Sequence, residues 1–401
     1  MSTIIERCRH LASFSEDPAV LTRTFLSTPM HDVHRELRSW MEKSGMLVSV
    51  DGAGNLRGFY EGTDPHAPRL LVGSHVDTVP SAGIYDGQLG VVFGIALIEE
   101  LKGRRMRFPI EVIAFSEEEG VRFSLPFIGS RAVVEGLDDA VLGTMDGNGT
   151  TVSDAIRQFG LDPHAPTLIR ENVLGFFELH IEQGPLLESL GLGLGVVEAI
   201  VGQSRAKLMF RGHANHAGTT PMHLRRDALA ACAEWISAVE RIARECEGLV
   251  ATVGRIEARP GAGNVIVGEV EASLDVRHPQ DQARLGALKI ILQEAAQAGD
   301  SRGVRVDSNI LMDQSAMACD QELTNALERA VSRAGQKPHL MVSGAGHDAM
   351  IMARRFPVAM LFVQSPGGLS HHPDESVRAQ DLDRALRAGM LLLDELEALI
   401  V

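Results

Sequence analysis

Histidine and aspartate residues with the spacing of metal ligands lie in the segment GSHVDTVPSAGIYDGQLG. His75 follows an apolar run, Asp77 lies two residues further on, and Asp86 precedes a Gly-rich turn. In an extended chain, residues i and i+2 project to the same side, so Asp77 can orient the imidazole of His75 by accepting its second N–H. A lone His in a loop is usually solvent-exposed or hydrogen-bonded. The His-x-Asp pair followed by a second Asp favours metal binding instead.

Three adjacent carboxylates, Glu117, Glu118 and Glu119, follow the apolar run PIEVIAFS. Such a triplet is usually a solvated patch. At the end of a buried strand, however, the carboxylates would repel one another and lose hydration unless cations compensated them. One carboxylate can bind a metal while its neighbour acts as a base on water, and the spacing alone does not assign the two roles.

Two further histidine groups occur in FFELHIEQG and GGLSHHPDE, and each alone is a weak signal. Together with the first two segments they offer imidazole and carboxylate ligands, a set that suits Zn, Mn, Co or Ni. No thiolate site is indicated, because the four cysteines form no C-x-x-C pair. Their wide spacing also argues against a disulfide framework and favours a reducing cytoplasm. The cysteines are Cys8, Cys232, Cys246 and Cys319.

The segments that must position these residues alternate between strand and helix patterns. The runs 69–75 and 109–116 are short, apolar and rich in Val and Ile, and residues 91–104 between them have helical character. This order predicts parallel strands, whose carboxyl ends carry the ligand sites of open α/β sheets. Residues 356–365 predict another buried strand and residues 382–399 a closing helix, while residues 15–47 are predicted to form helices.

A different pattern extends over residues 204–318. Its segments follow a β-α-β-β-α-β order, which is the ferredoxin-like arrangement. In EVEASLDVR, apolar and polar residues alternate, which is typical of a sheet with one solvated face. We therefore expect an α/β fold with two domains: residues 1–203 and 319–401 form the catalytic domain, and residues 204–318 form a smaller inserted domain.

The bulk composition excludes several classes of protein. With 401 residues, 45% of them hydrophobic and 23% charged, the chain can bury the cores of two domains. A net charge of -15 without clustered Lys and Arg disfavours nucleic acid as a partner. The charged start MSTIIERCRH does not fit a signal peptide, and no apolar run reaches the length of a membrane span. We expect a cytoplasmic protein with no membrane partner.

Eight motifs in order give the chain a specific resemblance that covers nearly its whole length. They are SHVDTV, YDGQLG, FSEEEGVRF, HIEQG, GHANHAGTTP, GNVIVGEVEASLDVRHP, SGAGHDA and GGLSHHPDE. In this order they resemble the group of allantoate amidohydrolases, ureidoglycolate amidohydrolases and N-carbamoyl-L-amino-acid hydrolases. That group belongs to the di-metal aminoacylase and dipeptidase superfamily.

The resemblance implies two divalent metal ions per subunit, Mn²⁺ or Zn²⁺, with Co²⁺ or Ni²⁺ as alternatives. Asp86 would bridge them, His75 and His180 would complete one site, and Glu119 and His371 the other. Glu118 would be the general base. Gly120, which in the family follows the metal-binding Glu, sets the register of the Glu triplet. The family's ligand lies four residues before a Glu, here Glu375, which selects His371 over His372.

The same resemblance implies that the inserted domain is a lid that also forms a homodimer. His216 would reach a neighbouring active site and polarise the scissile carbonyl. Asn264 and Arg277 would hold the carboxylate of the substrate, a task suited to a planar guanidinium. Gln183, Gly346 and His347 would lie near the substrate.

The implied reaction is hydrolysis of a ureido or carbamoyl C–N bond in a small carboxylate, with release of ammonia and carbon dioxide. Allantoate is the leading substrate, an N-carbamoyl-L-amino acid the alternative, and ureidoglycolate or N-carbamoyl-β-alanine the third. An aminopeptidase is a further enzyme class to test. A non-catalytic binding protein is disfavoured because a base and five metal ligands are present.

Overall fold

The computed structural model of the chain describes residues 3–170 and 172–399. It divides into two compact units, the first comprising Met1–Glu198 and Cys319–Val401 and the second Ala199–Ala318. The second unit is therefore inserted into the sequence of the first. The α/β fold class predicted from the sequence is confirmed. Among the helices of the described residues, none is long and apolar enough to cross a membrane.

The chain up to the insertion contains seven helices and six strands within the described residues. In chain order they are α1 (Thr3–Ala12), α2 (Met30–Lys43), β1 (Leu47–Val50), β2 (Leu56–Tyr60), β3 (Arg69–His75), α3 (Gln88–Glu100), β4 (Ile110–Phe115), α4 (Ile128–Val134), α5 (Asp139–Leu142), α6 (Val152–Gln158), β5 (Val173–Ile181), α7 (Leu186–Leu190) and β6 (Leu194–Ile200).

The rest of the chain continues with the elements of the insertion and then returns to the first unit. The insertion has β7 (Gly202–Arg211), α8 (Ala228–Glu245), β8 (Val250–Thr252), β9 (Ile256–Arg259), β10 (Glu269–His278), α9 (Asp281–Asp300), β11 (Arg305–Gln314) and β12 (Met317–Ala318). The return segment has α10 (Gln321–Arg333), β13 (Leu340–Ser343), α11 (Asp348–Met352), β14 (Val358–Val363) and α12 (Ala379–Leu399).

The sheet of the first unit has the strand order β1-β2-β4-β3-β5-β14-β6, and β13 also pairs with β6. The two-residue β12 pairs with the end of β6. The four central strands, β4, β3, β5 and β14, are mutually parallel. Every residue of β4 and β14 is buried, as expected for parallel strands with both faces covered. The carboxyl ends of these four strands therefore share one edge of the sheet.

Helix α3 packs deep in the first unit and is apolar on all sides. All of its residues from Gln88 to Ile98 are buried, a pattern typical of a helix enclosed by other elements. Helix α12 lies directly against it: a Cβ added at Gly389 would come within 2.7 Å of Leu97 Cδ2 and 2.9 Å of Phe93 Cζ. This close packing fixes α3 and the turn that precedes it.

The second unit is a five-stranded sheet of order β11-β7-β10-β8, with β9 also pairing with β10. All its strand pairs are antiparallel. Strand β10 alternates between buried and half-buried residues, which confirms the alternation predicted for this segment. Helices α8 and α9 cover the buried face, where the indole N–H of Trp235 donates to the carbonyl of Ile291 over 3.1 Å.

The helices predicted over residues 15–47 are found only as α2 (Met30–Lys43), and residues 15–29 form no helix. The segment is instead a loop organised around the buried guanidinium of Arg23. That group donates to the carbonyls of Val76 and Leu11 over 2.7 and 2.9 Å and to Gln88 Oε1 over 2.8 Å. A charged group buried in this way requires such acceptors, and they come from distant parts of the chain.

Candidate metal centre

The predicted metal ligands of the first unit gather at the carboxyl edge of the four parallel strands. His75 is the last residue of β3, Glu118 and Glu119 follow β4, His180 lies near the end of β5, and His371 lies in the loop after β14. Ligand atoms of His75, Asp86 and His180 lie within 4.8 Å of one another, and so do those of Asp86, Glu119 and His371. Asp86 is common to both groups.

Asp77 connects the strand ends next to this edge. Its Oδ1 accepts the backbone N–H of Glu118 over 2.9 Å, and its Oδ2 accepts that of Glu119 over 3.1 Å. The Nδ1 atom of His75 lies 3.1 Å from the Asp77 carbonyl oxygen and 3.3 Å from its Oδ1. Asp77 therefore orients the imidazole of His75 and holds the loop that carries the adjacent glutamates.

Asp86 lies in the turn that leads into α3, and its carboxylate faces three imidazoles. Its Oδ1 is 3.2 Å from His180 Nε2 and 3.9 Å from His75 Nε2. Its Oδ2 is 3.2 Å from His371 Nε2. The next residue, Gly87, has a φ of 65°, and a Cβ there would lie 2.4 Å from His75 Nε2. Only glycine permits both this backbone conformation and this close approach.

The members of the His371–His372 pair and of the glutamate triplet differ in their surroundings. Both histidines are exposed, but His371 Nε2 lies 3.7 Å from Glu119 Oε1, whereas His372 lies beside Asp374. Glu118 is buried and shares a ligand group with His75 and Glu119. Glu117 is fully buried, and neither of its carboxylate oxygens has a hydrogen-bond partner.

Burial without compensating cations alters the proton affinity of the carboxylates at this edge. Burial, then repulsion from Asp86, raises the pKa of Glu119 to about 7. Burial and the neighbouring Glu119 hold the pKa of Glu118 well above its usual range. Burial and Asp86 likewise raise the pKa of Glu375 to about 7. So many buried carboxylates at one sheet edge demand positive charge.

The pKa values of two histidines at this edge are raised as well, but by neighbouring carboxylates and against the effect of burial. Burial lowers the pKa of His75, but the hydrogen bond and charge of Asp77 outweigh burial and leave that pKa well above its ordinary value. For His180, burial again lowers the pKa, and Asp86 reverses the effect, so that this pKa is raised. The site thus favours positive charge between the imidazoles and the carboxylates. That charge can come from protons on these side chains or from bound metal ions.

The orientation of two imidazoles fits metal ions. His75 and His180 each direct Nδ1 at a backbone carbonyl, that of Asp77 and that of Ile181 respectively. A carbonyl only accepts, so Nδ1 carries the proton and Nε2 presents a lone pair, as in most metal-bound histidines. The buried Nε2 of His180 lies 3.2 Å from Asp86 Oδ1 but without the geometry of a hydrogen bond. Lone pairs and carboxylate oxygens facing one another are the donor set that a divalent cation requires.

A neighbouring buried cluster was not predicted from the sequence. Ligand atoms of Glu178, His180 and His347 lie within 4.8 Å of one another. Glu178 accepts from Ser74 Oγ over 2.7 Å and from the N–H of Ala349 over 2.9 Å. Its position two residues before His180 in β5, on the same side of the strand, is the signal that could have identified it.

The predicted substrate residues of the first unit lie around the same edge. Gln183 has a φ of 59°, and its Nε2 donates to the Asp86 carboxylate over 3.2 and 3.3 Å. His347 is buried, with Nε2 2.8 Å from Ser343 Oγ and its ring 4.5 Å from that of His180. Gly346 is exposed in the loop before α11.

The other predicted residues belong to the second unit. His216 is exposed and accepts the N–H of Gly218 at Nδ1. Asn264 lies in an adjacent segment, because its carbonyl accepts the N–H of Ala217 over 3.0 Å. Arg277, on β10, donates from Nε and Nη2 to the Asp275 carboxylate over 2.8 and 3.2 Å.

Comparison with known proteins shows extensive similarity. Residues 71–395 match the peptidase family M20/M25/M40. A probable allantoate deiminase of Oryza sativa subsp. japonica is 40% identical, over 97% of this chain and 87% of the relative. An N-carbamoyl-L-amino acid amidohydrolase of Geobacillus stearothermophilus is 40% identical, over 86% of this chain and 85% of the relative.

Solved structures give the same result. The structure of an amidase of the hydantoinase/carbamoylase family from Burkholderia multivorans superposes with a TM-score of 0.94 at 29% sequence identity. The alignment covers 98% of this chain and 97% of the other. The family resemblance inferred from the eight sequence motifs is confirmed by these matches. The chain therefore belongs to the peptidase family M20/M25/M40.

Proposed function

We propose that this protein is a metal-dependent amidohydrolase that cleaves the ureido or carbamoyl C–N bond of a small carboxylate, with allantoate as the leading substrate. The observation that carries the proposal is the pair of ligand groups that share the buried Asp86. The relatives named as allantoate deiminases, which match 97 to 98% of this chain, support allantoate. The products would be ammonia, carbon dioxide and the remaining ureido carboxylate.

Two divalent ions, Mn²⁺ or Zn²⁺ with Co²⁺ or Ni²⁺ as alternatives, would be held at this edge. His75, Asp86 and His180 would bind one ion, and Asp86, Glu119 and His371 would bind the other. Bound there, the ions would polarise the scissile carbonyl and lower the pKa of water. Asp77 would keep these ligands in position without binding an ion itself, because its carboxylate holds the loop of Glu118 and Glu119.

Glu118 would be the general base of the reaction. Its carboxylate would take a proton from the attacking water and then deliver it to the leaving nitrogen. It is buried and belongs to one group of possible ligands with His75 and Glu119, so it would lie beside the proposed ions and their water. His216 would stabilise the negative charge that develops on the carbonyl oxygen.

Arg277 and Asn264 would bind the carboxylate of the substrate. A planar guanidinium can bind a carboxylate through two parallel hydrogen bonds, which fixes direction as well as position. Gln183, Gly346 and His347 would border the substrate at the sheet edge. Holding the carboxylate would place the C–N bond next to Glu118 and so contribute to catalysis by orientation.

We also propose a cytoplasmic homodimer that pairs through the inserted residues 199–318. Strand β11 is an edge strand of its sheet, and its Ile310 and Leu311 are 43% and 62% exposed. On the adjacent helix α9, Leu285 and Ile290 are also exposed. An open strand edge with apolar side chains is a surface that another chain readily covers. The four free cysteines fit a reducing compartment.

The test is a side-by-side activity assay on manganese-reconstituted protein. The substrates are allantoate, ureidoglycolate, N-carbamoyl-β-alanine, several N-carbamoyl-L-amino acids and free dipeptides, and ammonia or amine release is measured. We expect the highest kcat/KM with allantoate. A preference for N-carbamoyl-L-amino acids, favoured by the relative from Geobacillus stearothermophilus, would replace allantoate with the alternative. Cleavage of dipeptides alone would overturn the proposal.

A further inference from the structure

Glu375 is buried behind Asp86 and binds the backbone of the turn that carries it. Its carboxylate oxygen Oε1 accepts the N–H of Tyr85 over 2.8 Å and the N–H of Asp86 itself over 3.1 Å. The side chain is only 4% exposed. The contact joins two loops that are 289 residues apart in the sequence. Glu375 is absent from both groups of ligand atoms that include Asp86.

The turn before Asp86 is shaped to admit this carboxylate. A Cβ at Gly83 would lie 2.3 Å from the Cδ atom of Glu375 and 2.4 Å from its Oε1. Contacts this short do not occur, so any side chain at position 83 would force Glu375 away. Gly83 has an ordinary φ, and space is therefore the reason for glycine at this position.

Glu375 also closes the turn that directly follows His371. Its backbone N–H donates to the carbonyl of His372 over 3.0 Å, and His371 itself has a φ of 54°. A histidine in this left-handed conformation costs free energy, so the surrounding contacts must hold it there. Glu375 thus binds the Asp86 turn through its side chain and, through its main chain, closes the turn next to His371.

A carboxylate shared by two ions tolerates little displacement, because both of its oxygens must face ligand partners on opposite sides. Asp86 meets that requirement, with Oδ1 3.2 Å from His180 Nε2 and Oδ2 3.2 Å from His371 Nε2. Gln183 contacts this carboxylate directly, and Glu375 holds the backbone N–H of Asp86. Residues that orient ligands in this way commonly change metal affinity by about 10- to 100-fold when mutated.

We propose that Glu375 is a positioning residue, which sets Asp86 and His371 relative to each other so that both metal sites form together. The inference rests on the proposed function only in requiring that the Asp86 edge binds two ions. It assigns Glu375 neither a contact with an ion nor a step in the reaction. Its hydrogen bonds, and not its charge, are the basis of the effect.

The experiment titrates metal-free protein with Mn²⁺ alone and measures binding by calorimetry. Metal analysis of the dialysed protein then gives the number of ions bound. Glu375→Met keeps the length of the side chain but removes the acceptor, and it should weaken the binding of at least one ion by about 10- to 100-fold. Glu375→Gln removes the charge but keeps an oxygen for the two N–H groups, and it should bind Mn²⁺ nearly as well as wild type. Asp374→Asn, in the same loop and 82% exposed, is the matched control.

Gly83→Ala provides an independent variant that leaves Glu375 in the sequence. Its methyl group should displace the carboxylate and reproduce the metal loss of Glu375→Met, while circular dichroism verifies that both variants fold. Wild-type affinity in folded Glu375→Met, or equal losses in Glu375→Met and Glu375→Gln, would overturn the inference. If wild type binds two ions but hydrolyses no ureido substrate, only the proposed function fails. If wild type binds no second ion, both fail.

Discussion

Glu118 and Glu119 are neighbours in the chain and yet have different surroundings. The Oε1 atom of Glu119 lies 3.7 Å from His371 Nε2 and belongs to a group with Asp86. Glu118 shares a group with His75 and Glu119 but none with Asp86. A carboxylate beside the shared Asp86 is suited to bind an ion, and one displaced from it is suited to move protons.

Glu118→Gln should therefore bind two metal ions and lose about two to four orders of magnitude in kcat, the usual contribution of a general base. Steady-state kinetics with the preferred substrate and metal analysis of the same preparation would measure the two effects separately. Glu119→Gln is the matched variant and should lose metal. If instead Glu118→Gln loses metal while Glu119→Gln keeps both ions, the two roles are exchanged.

Arg277→Lys should raise KM for a carboxylate substrate with a smaller effect on kcat, because lysine offers a point charge in place of two parallel hydrogen bonds. Initial rates over a range of substrate concentrations separate the two parameters. Arg205→Lys is the control, since Arg205 also donates to Asp275, over 3.0 Å from Nε. An unchanged KM in Arg277→Lys would remove this residue from substrate binding.

At the scale of single elements, helix α3 has a left-handed glycine near each end. Gly87, before its first residue, has a φ of 65° and leaves no space for a Cβ beside His75. Gly103, after its last turn, has a φ of 86° and has no atom within 4 Å of an added Cβ. Alanine substitutions at these two positions therefore distinguish the free-energy cost of backbone strain from the effect of displacing the His75 imidazole.

Gly103→Ala should lower stability by about 1 to 2 kcal/mol, the cost of a left-handed L-residue, and bind metal normally. Gly87→Ala should lose at least that much stability, because a ψ of −62° at this φ is unfavourable for any L-residue, and should in addition lose most of its affinity for the ion proposed to bind at His75. Thermal unfolding of the metal-free proteins and Mn²⁺ calorimetry distinguish the effects. Equal Mn²⁺ affinity in the two variants would contradict the proposed contact with His75.

The elements that could be predicted from the sequence are those whose hydrophobic pattern lies within one continuous segment. The runs RLLVGSH, PIEVIAFS and FPVAMLFVQS are mostly apolar and contain β3, β4 and β14, because a parallel strand is buried on both faces. Residues 15–29 were predicted wrongly as helix, because their conformation depends on acceptors for Arg23 that lie as far away as Gln88. The cluster of Glu178 and His347 was missed for the same reason: it forms only when β5 and the loop before α11 come together.

At the scale of the whole molecule, the proposed homodimer predicts complementation between two inactive variants. His216→Ala and Glu118→Gln homodimers should each be nearly inactive. After subunit exchange at equal concentrations, half of the dimers should be mixed, and one of the two sites in each should contain both wild-type residues. Activity should then return to about a quarter of the wild-type value.

The matched control replaces His216→Ala with the double variant His216→Ala and Glu118→Gln. No site in that mixture contains Glu118, so it should stay inactive at every time point. Native mass spectrometry would measure the exchange. If mixed dimers of the first pair form and remain as inactive as their parents, His216 either acts within its own subunit or has no role in the reaction.

The position of β14 in the sheet has a consequence for the order in which the newly made chain can fold. Strand β14 lies between β5 and β6, although more than 150 residues separate it from β6 in the sequence. During translation, β5 and β6 emerge from the ribosome long before the strand that fits between them. All five strands of the inserted sheet lie between Gly202 and Gln314, so that unit can fold first. His371 is made long after Asp86, so a nascent chain acquires the complete set of proposed metal ligands only when synthesis has passed His371.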